Sequence, residues 1–118
     1  MPRVVLANAF SLSMISSMIS MPGQEVYLRV KEVTTDEVKK LLSSSEGLFE
    51  SAVGHEDTAR LLTKLLGVEV RAERKQVTLT PNVILVVFQL LSRLPEGRVL
   101  TEEELTKIPY KFFVVEVC

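Results

Sequence analysis

The sequence predicts an α/β fold: a single domain over residues 1–118, built on a mixed sheet of about five strands with flanking helices. Three observations lead there. The run Val83-Ile84-Leu85-Val86-Val87-Phe88 is apolar without alternation, as in a central strand covered on both faces. Thr58, Ala59, Leu62, Leu65 and Leu66 recur at helical spacing and stop at Gly67. Strand-like and helix-like segments alternate without a regular strand–helix–strand period, which favours a mixed sheet over a purely parallel one.

The elements follow in order. Val4-Val5-Leu6 reads as a buried strand, and Asn8-Ala9-Phe10-Ser11 as the turn after it. Ser11 or Ser13 caps a short helix through Met14, Ile15 and Met18, which Pro22-Gly23 ends. From Glu25, alternation of Val26, Leu28 and Val30 with Tyr27, Arg29 and Lys31 predicts a strand with one polar face. Thr34 and Glu37 form a capping box for a helix carrying Val38, Leu41 and Leu42. A brief strand is expected over Leu48–Val53, then the helix His55–Leu66. Val68–Val70 begins another extended piece, and Lys75–Thr80 and Asn82–Gln89 read as strands around Thr80-Pro81-Asn82. Pro95-Glu96-Gly97 is a turn, and Thr101 with Glu104 caps a second short helix. Tyr110–Val117 is a last strand, rich in aromatic and β-branched residues.

Composition narrows the functional classes. A net charge of −1 supplies no global basic field, so duplex DNA is not an expected partner. One cysteine, Cys118, and one histidine exclude a disulfide framework and any multi-cysteine zinc site. The expected setting is reducing and cytoplasmic. The apolar stretch Val4–Met21 is broken by Asn8, Ser11, Ser13, Ser16, Ser17 and Ser20, so neither an export signal nor a membrane span is expected. No glycine-rich phosphate loop, C-x-x-C, H-E-x-x-H or G-x-S-x-G segment is present.

The residues that remain are few. His55 lies in Val53-Gly54-His55-Glu56-Asp57-Thr58, at the open end of a predicted helix, where unpaired N–H groups suit an anion. Its imidazole either fills a helix-terminal position or moves a proton. Arg71, Arg74 and Lys75 either receive phosphates or guard a hairpin edge. Arg93 and Glu96 are either a site rim or an exposed ion pair in a turn. Asn8 and Ser11, just past the first strand, either line a cleft or cap a helix.

The combination is more specific than its parts. Leu6-Ala7-Asn8-Ala9-Phe10-Ser11, Val53-Gly54-His55-Glu56-Asp57-Thr58, Ser92-Arg93-Leu94-Pro95-Glu96-Gly97-Arg98-Val99-Leu100 and Phe112-Phe113-Val114-Val115-Glu116-Val117 occur in that order. Across nearly its whole length the chain resembles the viral ring nuclease family, type III anti-CRISPR proteins of archaeal viruses and phages with relatives in bacteria. The resemblance implies a homodimer that binds the RNA second messenger cyclic tetra-adenylate at its interface. It implies cleavage without metal or cofactor, which silences type III CRISPR immunity, in the host cytoplasm if the protein is viral. By motif, His55, Arg93 and Glu96 correspond to the family's catalytic residues. Ser11, Asn8, Thr58, Arg74 and Gln89 fall at ligand-facing positions. Position 95 is proline where relatives often carry glutamate.

The residues accommodate that chemistry. RNA carries its own nucleophile, the 2′-hydroxyl, so the protein need only align it and protonate the leaving 5′-oxygen. His55 is then the expected general acid, Arg93 offsets phosphate charge, and Glu96 either orients Arg93 or bonds the ribose. The rival expectation is a protein that binds and sequesters the ring without cleaving it. A DNA-binding regulator would need a reader helix, and none is recognisable.

Overall fold

The computed structural model describes residues 3–44, 49–91, 103–104 and 107–118. Their sheet has five strands: β1 (Arg3–Ala7), β2 (Leu28–Val33), β3 (Phe49–Ala52), β4 (Val83–Leu90) and β5 (Tyr110–Val117). The spatial order is β2-β5-β4-β1-β3. β1 is parallel to both β3 and β4, whereas β5 is antiparallel to β4 and to β2. The expected mixed sheet is therefore present, with a parallel half and an antiparallel half.

β4 occupies the centre because its unbroken apolar run has two faces to bury. Val86 and Phe88 join the core beneath the helices α1 (Thr35–Ser44) and α2 (Glu56–Leu66). Val83, Leu85 and Val87 face the opposite core. Val4 and Leu6 of β1 divide from Val5 and Ala7 in the same way, the period-two alternation of a strand. On the helix side α2 buries Thr58, Ala59, Leu61, Leu62 and Leu66 and ends at Gly67, whose φ of 70° is the left-handed conformation glycine adopts without strain.

Among the described residues no α-helix covers the second face, and here the expectations need correction. The helix predicted after Ser11 resolves into two 3-10 turns, Leu12–Met14 and Ser16–Met18, with Ser11 making no capping bond. Closely spaced serines compete for local hydrogen bonds: Ser11 bonds Ser13 at 2.7 Å and Ser16 bonds the Ser13 carbonyl at 3.1 Å. Residues 75–80, predicted as a strand, form none. They run beneath the sheet, where Leu79 is fully buried and donates its N–H to the Met14 carbonyl at 2.8 Å. The extended piece predicted from Val68 makes only one isolated bridge, Ala72 with Val53. β2 starts at Leu28 rather than Glu25 and continues to Val33. The turn at Pro95-Glu96-Gly97 lies outside the described residues, as does most of the helix expected after Thr101.

The capping box at α1 forms as expected. Glu37 N–H donates to Thr34 Oγ1 at 3.1 Å, and Thr34 N–H donates to the Glu37 carboxylate at 3.3 Å. Thr34→Ala removes one half of it and should cost about 1 kcal/mol in urea denaturation. A loss below ~0.3 kcal/mol would show that packing of Val38 and Leu42 alone sets this helix start.

Candidate functional site

Because β1, β3 and β4 are parallel and adjacent, their carboxyl ends share one edge of the sheet. Ala7 stands level with Ala52 on one side and Val87 on the other. The chain just beyond that level holds Asn8, Gly54 with His55, and Gln89. In open α/β sheets this is the edge where ligands bind.

His55 is the N-cap residue of α2, in extended conformation at φ −128° and ψ 131°. Its carbonyl accepts the Ala59 N–H at 3.0 Å, so its backbone starts the helix. Its imidazole makes no capping bond and is exposed. His55 thus fills the helix-terminal position through its backbone, and its side chain takes no part in the cap. Glu56 and Asp57 follow in the first turn. They suit the helix dipole but oppose an anionic ligand, so cations must compensate nearby.

Arg74 is such a cation. Its Nε donates to the Gly54 carbonyl at 3.2 Å, and its terminal guanidinium nitrogens have no partner among the described residues. Asn8 Oδ1 accepts the Gly54 N–H at 3.4 Å. The structure thus gathers Asn8, His55 and Arg74 around one glycine. A Cβ at position 54 would meet Arg74 Cγ at 3.4 Å, an ordinary van der Waals contact, so the side chain of Arg74 packs directly over this residue.

The basic cluster divides. Arg71 is occupied by Glu69 at 3.3 Å. Lys75 lies 3.8 Å from both Glu50 and Glu73, and lines a groove of about 410 Å³ with Ser11, Ser13, Ser16 and Ser17. Lys75 was open in the sequence as a phosphate receiver or a guard of a hairpin edge, without a place at the ligand-facing positions. Its neighbourhood depends on the path of residues 75–80, which the strand expectation misplaced.

Ser11 is exposed on that groove, and Gln89 is exposed at the end of β4, its amide donating to the Leu90 carbonyl at 3.1 Å. Among the described residues no hydrogen bond joins either to His55. Both lie on the side of the sheet carrying the 3-10 turns, whereas α2 covers the other. Thr58 needs correction: it is 4% exposed, on the buried face of α2, and offers a ligand no accessible surface. Arg93 and Glu96 lie outside the described residues, three and six positions beyond the end of β4. Among the described residues no three His, Cys, Asp or Glu side chains gather as a metal would require, and no helix is long and apolar enough to cross a membrane.

The fold and this edge define a class: small α/β domains whose polar residues collect beyond the carboxyl ends of three parallel strands. Within it, the chain belongs to the STIV B116-like family, whose model matches residues 4–112. It is similar to Uncharacterized protein 26 of Sulfolobus islandicus filamentous virus (isolate Iceland/Hveragerdi), with 42% identity over 81% of this chain and 80% of that one. It is also similar to Uncharacterized protein YddF of Bacillus subtilis (strain 168), with 33% identity over 85% and 90%. In fold it matches B116 of Sulfolobus turreted icosahedral virus, with a TM-score of 0.75 and 24% identity over 97% and 98% of the two chains. Relatives thus occur in archaeal viruses and in a bacterium.

Proposed function

We propose that the protein is a metal-independent ring nuclease that opens cyclic tetra-adenylate to linear products with 2′,3′-cyclic phosphate ends, antagonising type III CRISPR immunity. The observation that carries this reading is the exposed imidazole of His55, free of any capping bond, one residue from the Gly54 carbonyl that Arg74 holds, with the terminal nitrogens of Arg74 unpaired among the described residues. An acid-base group next to a cation is what transesterification of RNA asks of a protein. The 2′-oxygen attacks phosphorus, a new P–O bond forms, and the bond to the 5′-oxygen breaks. The 2′-hydroxyl proton passes to solvent, and His55 protonates the departing 5′-oxygen. Cations around the phosphate offset its charge.

The motif order shared with the viral ring nucleases supports the same reading and adds Arg93 and Glu96 to the site. A two-fold homodimer presents two copies of it, matching a ring of four identical nucleotides. Serine hydroxyls and Lys75 along the adjoining groove offer further contacts to phosphate or ribose.

The test is turnover with cyclic tri-, tetra- and hexa-adenylate in large excess over protein. Many rings of cyclic tetra-adenylate should be opened per protein, and opening should continue in EDTA. A single stoichiometric binding event without product would establish the sequestering alternative. Loss of cleavage in EDTA, restored by a divalent ion, would overturn the metal-independent mechanism.

A further inference from the structure

The backbone N–H and carbonyl of Gly54 are both held by side chains remote in sequence. Asn8 accepts its N–H across 46 positions at 3.4 Å, and Arg74 donates to its carbonyl across 20 positions at 3.2 Å. The flanking groups are engaged too: the Val53 carbonyl accepts the Glu73 N–H at 2.8 Å, and the His55 carbonyl accepts the Ala59 N–H at 3.0 Å. The His55 side chain itself has no hydrogen-bond partner among the described residues. Its backbone is therefore fixed and its imidazole is not, so where the ring sits depends on where residue 54 holds the chain.

We infer that Asn8 and Arg74 are positioning residues for His55, clamping the backbone of Gly54 between the end of β1 and the 72–74 segment; this rests on the ring-nuclease reading above. Both bonds are longer than the usual 2.9–3.0 Å, so neither alone anchors the loop strongly. Acting on the two peptide groups that flank the Gly54 Cα, they restrain rotation about the φ and ψ of residue 54, the motion that would swing His55 away from the leaving oxygen. Arg74 has a second capacity. Its Nε is spent on Gly54 while its terminal nitrogens are open among the described residues, so a phosphate bound there couples ring binding to the position of His55. A lysine offers a single nitrogen, which carbonyl and phosphate would have to share, without the planar fork that separates them.

The substitutions Asn8→Ala, Asn8→Asp and Arg74→Lys test this. Asn8→Ala removes the acceptor and should lower kcat about tenfold, a fraction of the ~10²-fold that a 1 Å misplacement costs, with KM little changed. Asn8→Asp keeps an acceptor oxygen but loses the amide N–H₂ and adds charge. It should recover most of the lost kcat while KM rises through repulsion of the ring phosphates. Arg74→Lys should lower kcat more than it raises KM. In the ligand-free protein, amide exchange of Gly54 should quicken in Asn8→Ala and slow again in Asn8→Asp, a readout independent of cleavage. Losses confined to KM, or an Asp variant as slow as the Ala variant with Gly54 exchange unchanged in both, would overturn the clamp. If the unsubstituted protein opens no ring, the activity reading is what falls, and the clamp is judged on Gly54 exchange alone.

Discussion

His55→Ala should slow ring opening by roughly 10²–10⁴-fold, the range that a positioned general acid contributes. The loss should lie in kcat. The imidazole forms no capping bond, and alanine is a poor N-cap as well, so the stability of α2 should change by less than ~0.5 kcal/mol. Binding of the intact ring, measured by calorimetry on the inactive variant, should persist within about tenfold, because phosphate contacts through Arg74 and the groove beside Lys75 are untouched. Turnover at the unsubstituted rate would remove His55 from the chemistry. Parallel loss of binding and cleavage would make it a ligand contact rather than an acid.

Phe88→Ala should cost about 3–5 kcal/mol, the largest stability effect expected of a single core truncation. Phe88 is fully buried at the centre of β4, its ring centroid 5.2 Å from that of Phe112 and 5.4 Å from that of Tyr110. Strands on both flanks and helices above leave the cavity little room to collapse, which places the cost toward the upper end. Against a typical total of 5–15 kcal/mol this threatens the fold itself. The check is the urea midpoint at constant slope; a shift worth less than ~1 kcal/mol would mean that the surrounding aromatic rings close the gap.

How much of this was legible beforehand varies with how local the cause is. Both long strands, β4 and β5, follow from apolar runs and β-branched residues, and both appear within a residue of the expected positions. α2 was readable from its spacing and from Gly67, and α1 from the Thr34–Glu37 box. The failures share a cause. Residues 75–80 alternate like a strand, yet no sheet partner is within reach, and Leu79 is buried instead against the 3-10 turns. Leu61 was not placed on the buried face of α2, because a helix lying between a sheet and its neighbour α1 buries more than one narrow stripe. For the site, His55 stood out as the chain's single histidine, and Asn8, Ser11 and Gln89 could be placed at strand ends. Which of them meet could not be read off, since strand order is set by pairings tens of residues apart.

The sequence by itself determined the class of fold, the apolar centre of the sheet, the placement of α1 and α2, and the presence of one imidazole with scattered polar residues at strand ends. Each depends on periodicity, capping or composition, forces acting within a few residues. The tertiary structure decided that β1, β3 and β4 run parallel side by side, so that Asn8, His55 and Gln89 share one edge. It also decided that Thr58 is interior, and that Asn8 and Arg74 converge on the backbone of Gly54 while the imidazole has no hydrogen-bond partner among the described residues. Those outcomes depend on which strands exchange backbone hydrogen bonds and on which segment is left to cover the second face. Such choices are settled by burial across the whole chain, and no local pattern encodes them.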